Sequence, residues 1–326
     1  DFFGDDMRLS PSRVEKYHRC RFAYFCEYGL RVKTRRPADL DASAFGTLAH
    51  VLMERLLPVY AEQGFTNVRR EQVFADAERT VREYTEENMG GLENKSSRFA
   101  YLLSQLVRTG GSLLWQVVRE LRQSRFVPVD YELSVGLPPA DGGGYVEPLV
   151  LTLPDGARVR VQGKVDRVDV YRDGETAYVR VVDYKTGAKQ FRLSEVVEGI
   201  NLQMLVYILS IWQNGAPRYG PVVPAGVLYL PAKLPIVNIA RDADAEQTDR
   251  ARLRVMRMNG LLLDDPEIIR AMENEAAGLF IPARLTAQGL PDQNASVATL
   301  EQFSLLKKRM EKLLGDMAAT LRSGDI

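Results

Sequence analysis

The stretch 179–185, Val-Arg-Val-Val-Asp-Tyr-Lys, constrains this 326-residue chain more than any other. β-Branched residues crowd it and Thr186-Gly187 closes it, so it reads as a buried β-strand. Side chains alternate along a strand, which puts Asp183 and Lys185 on one face and Tyr184 on the other. A carboxylate and an ammonium at the end of an otherwise apolar strand are costly unless a site uses them. Upstream, Gly163-Lys164-Val165-Asp166-Arg167-Val168-Asp169 leads into the turn signal Arg172-Asp173-Gly174. An Asp, a hairpin and then Asp-x-Lys is a layout in which two carboxylates hold divalent cations and the lysine offsets charge on a reacting phosphodiester. Asp-x-Lys alone is common by chance; Asp166 on the adjacent strand gives it weight.

A hydrophobic content of 45% supports a real core, and no run of about 18 apolar residues offers a transmembrane helix. The opening Asp1-Phe2-Phe3-Gly4 is not a signal peptide and lacks an initiator Met, so the chain reads as excised from a longer protein. Cys20 and Cys26 argue against a disulfide framework and suit a reducing cytoplasm. A net charge of zero argues against an indiscriminate nucleic-acid binder, although segment 8–36 carries nine basic residues against Glu15 and Glu27. No G-x-x-x-x-G-K-[ST] loop occurs, so the chain is not itself an ATPase.

Ser10 and Pro11 predict a helix start, with Ser12 and Glu15 as an alternative capping box. The aromatics and arginines of 17–26 suit either base stacking or a core. Residues 44–63 predict an amphipathic helix with an apolar stripe of Leu48, Val51, Leu52, Leu56 and Val59, and with Gly46, His50 and Glu54 on a second ridge. His50 on that ridge is either a satisfied histidine or a metal ligand. Helices over 68–89 and 95–124 break at Gly90-Gly91. Four strands follow, over 127–135, 149–153, 157–170 and 176–184, with a mobile loop over 138–148. Glu132 reads either as a third carboxylate at the metal site or as a surface glutamate. Ser194 predicts the cap of a helix running to about Gln213, with Val197, Ile200, Met204, Ile208 and Ile211 as its stripe and Gln203 and Tyr207 as i,i+4 neighbours. Strands over 223–230 and 236–240, helices over 246–259 and 266–275, a linker over 280–294 and a helix over 296–321 complete the chain. The order predicts an α/β fold, a mixed sheet flanked by helices.

Taken jointly, Phe45-Gly46-Thr47-Leu48-Ala49-His50, Gly163-x-x-Asp166-Arg167-x-Asp169, Asp183-Tyr184-Lys185-Thr186-Gly187 and Gln203-x-x-x-Tyr207 resemble the RecB-type nuclease domain of the PD-(D/E)xK superfamily. The opening Leu9-Ser10-Pro11-Ser12-Arg13-Val14-Glu15-Lys16-Tyr17-x-x-Cys20-x-Phe22 is similar to the AddB family, one of the two components of bacterial helicase–nucleases that process double-strand breaks. The resemblance covers about residues 8–230 and is loose beyond.

It implies a restriction-endonuclease-like core within a single nuclease domain over 1–326: a mainly helical part (8–125), the catalytic sheet and helix (126–240) and a helical C-terminal part (241–326). It implies His50, Asp166, Asp183 and the Tyr184 carbonyl as ligands of Mg²⁺ or Mn²⁺, Lys185 as catalytic lysine, and Gln203 and Tyr207 as positioning the DNA strand. Asp169 is expected to orient Arg167 or the hairpin rather than to bind metal. The implied activity is metal-dependent deoxyribonuclease cleavage of single-stranded DNA by metal-activated water. The implied partners are DNA ends and an AddA-like helicase–nuclease subunit, in the cytoplasm and away from any membrane. The family also implies a 4Fe-4S cluster on four cysteines; Cys20 matches the first, and the sequence holds no match for the other three. The rival readings are a nuclease-shaped DNA-binding module without catalysis, a stand-alone iron–sulfur exonuclease of the same superfamily, and a scaffold that grips the helicase partner.

Overall fold

The computed structural model describes residues 4–32, 42–89, 97–140, 142–185, 191–232 and 244–324. The Thr186-Gly187 turn, the Gly90-Gly91 break and the strand expected over 236–240 lie outside these residues.

Ten strands form two sheets among the described residues. β1 (Asp6–Leu9), β4 (Val150–Thr152) and β5 (Arg158–Val161) make a small sheet in the order β1-β5-β4. The large sheet contains β2 (Val127–Val135), β3 (Tyr145–Val146), β6 (Gly163–Asp173), β7 (Thr176–Lys185), β8 (Val222–Pro231), β9 (Asn259–Leu263) and β10 (Val297–Ala298). Its order is β10-β9-β8-β7-β6-β2-β3. β7 lies near its centre, antiparallel to β6 and parallel to β8. Buried on both faces, it carries the near-continuous apolar run that such a position demands.

Helices cover both faces. α1 (Pro11–Arg19), α7 (Gln203–Asn214), α11 (Leu300–Ser323) and the small sheet share one core with Val165, Val168, Val179 and Val181. α3 (Ala42–Gln63), α4 (Arg70–Met89), α5 (Ser97–Gln123), α9 (Ala245–Val255) and α10 (Pro266–Met272) share the other with Val182, Tyr184, Leu228 and Leu230. The short helices α2 (Arg21–Tyr24), α6 (Leu193–Val197) and α8 (Ala216–Tyr219) fill connections. α7 is buried on every side from Met204 to Ile211, which makes it the central helix beneath the sheet. Among the described residues no helix is long and apolar enough to cross a membrane.

Ser10 caps α1 as expected, accepting from the Arg13 N–H, with Pro11 in its first turn. Several boundaries differ from expectation. The strand expected over 157–170 is two strands in different sheets, because at Gln162 the backbone N–H turns away to Leu9. Ser194 does not cap one long helix: Arg192 precedes the short α6, and the left-handed residues Gly199 and Asn201 separate it from α7. Val197 is accordingly exposed. α9 ends at Val255, where the chain turns into β9. β3 pairs with β2 inside the expected mobile loop, and β10 precedes α11. On α3 the buried stripe runs through Leu48, Ala49, Leu52, Met53, Leu56, Leu57 and Tyr60, leaving Val59 exposed.

Candidate active site

α3 leans on β2 and β7 and brings His50 to the sheet. His50 Nδ1 lies 3.4 Å from Glu132 Oε1 and 3.7 Å from Asp166 Oδ2. One ligand atom from each of these three residues falls within 4.8 Å of the others. Glu54, on the same ridge of α3, is exposed. Glu132 stands between Tyr131 and Leu133 of β2, which pair with Arg167 and Val165 of β6, so it faces Asp166 across the ladder. Its φ of +50° is a left-handed conformation that a glutamate rarely adopts in a strand.

Asp166 is fixed from behind: Oδ2 accepts the Tyr184 N–H at 2.8 Å. The Tyr184 ring meets His50 edge-on, with centroids 5.6 Å apart. Asp183 and Lys185 share a face as strand alternation requires, Lys185 Nζ lying 2.7 Å from Asp183 Oδ2. Asp183 is buried, whereas Lys185 stands at the mouth with about a quarter of its side chain exposed. Gln203 opens α7 and bridges the pair, donating to Asp183 Oδ1 at 3.2 Å and accepting from Lys185 at 3.4 Å. Tyr207, one turn on, is buried and packs against Gly163, where a Cβ would overlap its hydroxyl. Its hydroxyl is hydrogen-bonded to the Gln203 side chain. Burial, then the Asp183 charge, pushes the Asp166 carboxyl up to about 7. The Glu132 hydrogen bond raises His50 against the opposing effect of burial.

The family pattern of the PD-(D/E)XK nuclease superfamily matches residues 8–325, beyond the limit of about 230 expected above. The chain belongs to this superfamily. It is 33% identical to the B component of the ATP-dependent helicase/deoxyribonuclease of Acetivibrio thermocellus, over 99% of this chain and 28% of that protein. It is 31% identical to the proteins of the same name from Ruminiclostridium cellulolyticum, over 100% of this chain, and Clostridioides difficile, over 98%; each match covers 28% of the relative. The chain thus spans about a quarter of the length of these curated relatives.

As a member of the PD-(D/E)XK nuclease superfamily, the chain offers a donor set that fits a divalent cation. Hard carboxylate oxygens and one imidazole converge, and two crowded carboxylates, one of them driven toward its protonated form, call for added positive charge. Asp183 falls outside the His50–Glu132–Asp166 trio and is held by Lys185 and Gln203. The group that Tyr184 supplies toward Asp166 is its N–H. A four-thiolate cluster does not fit the residues present: Cys20 is exposed, Cys26 half-buried, and the sequence has no other cysteine.

Asp169 lies on the opposite face of β6 from Asp166, in a buried network. Arg167 and Arg180 each reach it at 2.8 Å, and both also reach Glu120 of α5, at 3.3 and 2.6 Å. Glu120 and Arg180 were not anticipated; Asp169 orienting Arg167 was.

Proposed function

We propose that His50, Glu132, Asp166 and Asp183, with Lys185, form a divalent-metal centre that hydrolyses phosphodiester bonds of single-stranded DNA. The observation that carries this is the convergence of an imidazole from α3 with carboxylates from β2 and β6, next to the Asp183–Lys185 pair of β7. His50, Glu132 and Asp166 would hold the cation, with Asp183 and the Tyr184 carbonyl completing its surroundings. A bound Mg²⁺ or Mn²⁺ supplies charge against the phosphate and acidifies a water; the imidazole suits Mn²⁺ as well as Mg²⁺. Lys185, partly exposed at the mouth, offsets charge that develops on the phosphate oxygens. Gln203 holds Asp183 and Lys185 in register, and Tyr207 positions Gln203.

Similarity to the B components of helicase/deoxyribonucleases supports reading the chain as the nuclease part of an AddB-like protein. It would act with an AddA-like partner on DNA ends during recombinational repair in the cytoplasm. The test is cleavage of a labelled single-stranded oligonucleotide with Mg²⁺, by the parent and by Asp183→Ala. Loss of cleavage with binding retained is expected. Cutting by the variant at the parental rate would overturn the assignment, and a parent that binds without cutting would favour a binding module instead.

A further inference from the structure

A cleft between α4, α5 and α9 encloses about 580 Å³ and shares no lining residue with the hydrolytic site. A volume of that order suits one small molecule. α5 lines it with a polar ridge, Arg108, Ser112, Gln116 and Arg119, at steps of four, four and three residues. The neighbouring positions of α5 are apolar: Leu113, Leu114, Val117 and Val118 are all buried. Gln116 is buried with them, at 6% exposure, yet no described residue hydrogen-bonds its amide. Ser112, one turn away, donates to the Arg108 carbonyl instead. A buried amide without a partner costs stability unless a bound molecule satisfies it. Gln116 lines the cleft, so the group that would satisfy it comes from there.

The charges around the cleft narrow the ligand. Its one lining carboxylate, Asp249, is gripped by Arg119 through two hydrogen bonds of 2.8 Å. Arg119 foremost, then Arg252 and Arg70, keep that carboxyl below its usual range against the opposing effect of burial. Arg70, Arg108 and Arg252 form no ion pair of their own with a described residue. Three guanidinium groups around one neutralised acid call for an anion of more than one charge, and guanidinium forks match phosphate oxygens. Phe74 of α4, with the buried Leu253 and Met256 of α9, adds apolar wall beside the Gln116 amide. That combination suits a flat ring whose edge carries both a donor and an acceptor, since a glutamine amide offers one of each. Arg108 stands two turns, about 12 Å, along α5 from Gln116, a span that leaves room for a sugar between ring and phosphates.

We propose that this cleft binds a nucleoside diphosphate, its base edge paired with the Gln116 amide and its phosphates held by Arg70, Arg108 and Arg252. The site is separate from the hydrolytic centre and does not depend on the nuclease reading above. Isothermal titration calorimetry on the full chain, with chelator present so that no cation occupies the hydrolytic centre, compares ADP with inorganic pyrophosphate. The parent is expected to bind both, ADP the more tightly. Arg108→Ala/Arg252→Ala is expected to lose roughly tenfold in affinity for each probe, as the removal of charge-assisted hydrogen bonds implies. Both positions are exposed, so this variant is expected to melt with the parent. Gln116→Met keeps the volume and removes the amide. It is expected to bring ADP down to the pyrophosphate level while leaving pyrophosphate unchanged. It is also expected to melt no lower than the parent, because the folded chain gives that amide no partner. A parent that binds neither probe, or binds both equally, would overturn the proposal. Parental affinities in the arginine variant, or a preference for ADP that survives Gln116→Met, would do the same. So would polyglutamate that displaces ADP as well as ADP itself does, since that marks a surface for an acidic protein.

Discussion

Glu132 shows how much one side chain is asked to do. Its left-handed backbone costs of order 1–3 kcal/mol, and the sheet imposes it where the carboxylate meets His50 and Asp166. Glu132→Gly and Glu132→Ala are expected to lose divalent-metal affinity alike, by about 10- to 100-fold. The glycine variant is expected to be more stable than the alanine variant by about 1 kcal/mol, because only glycine occupies that φ freely. Calorimetric Mn²⁺ titration and chemical denaturation of the pair check both halves. Asp183, Lys185 and their shared face were legible in the sequence, because strand alternation alone fixes them. Glu132 was not. β2 reaches β6 through the small sheet rather than through a hairpin, so no turn announced the register that sets Glu132 opposite Asp166.

Among elements, β6, β7 and α5 are tied together by the Arg167–Asp169–Arg180–Glu120 network, every member of which is buried. Asp169→Ala would leave two buried guanidinium groups sharing one carboxylate. The expected cost is about 3–5 kcal/mol, read from urea denaturation. An unchanged midpoint would show that the network contributes nothing. A second junction joins α1 to the turn before α7 and to α11. There the His18 ring packs against Gly199, whose φ of +86° and lack of a Cβ make room for it. Burial, then Arg21 and Arg309, lower the His18 pKa below 6.5, with Asp316 opposing. The unfolded chain takes up a proton near pH 6.5 while the folded chain resists. This contribution is therefore complete above that pH and lost as pH falls below it. His18→Gln is expected to flatten the decline of melting temperature over that range; an identical decline would remove His18 from the account. The start of α1 was legible because Ser10 and Pro11 act locally. The α6–α7 break and the split of β5 from β6 were not: Asn201 becomes left-handed, and Gln162 turns toward Leu9, through distant packing.

At the scale of the whole molecule, one mixed sheet separates two hydrophobic cores, and the ionisable cluster sits where α3 and α7 bring side chains to the C-terminal end of β7. The alternation of strands and helices made the α/β class and the catalytic sheet readable. The central claim concerns where a cation binds. Anomalous diffraction from crystals soaked in Mn²⁺ tests it directly. The account predicts a peak within coordination distance of His50, Glu132 and Asp166, lost in Asp166→Asn. A map without density at that point, or with the ion bound elsewhere and cleavage intact, would contradict it.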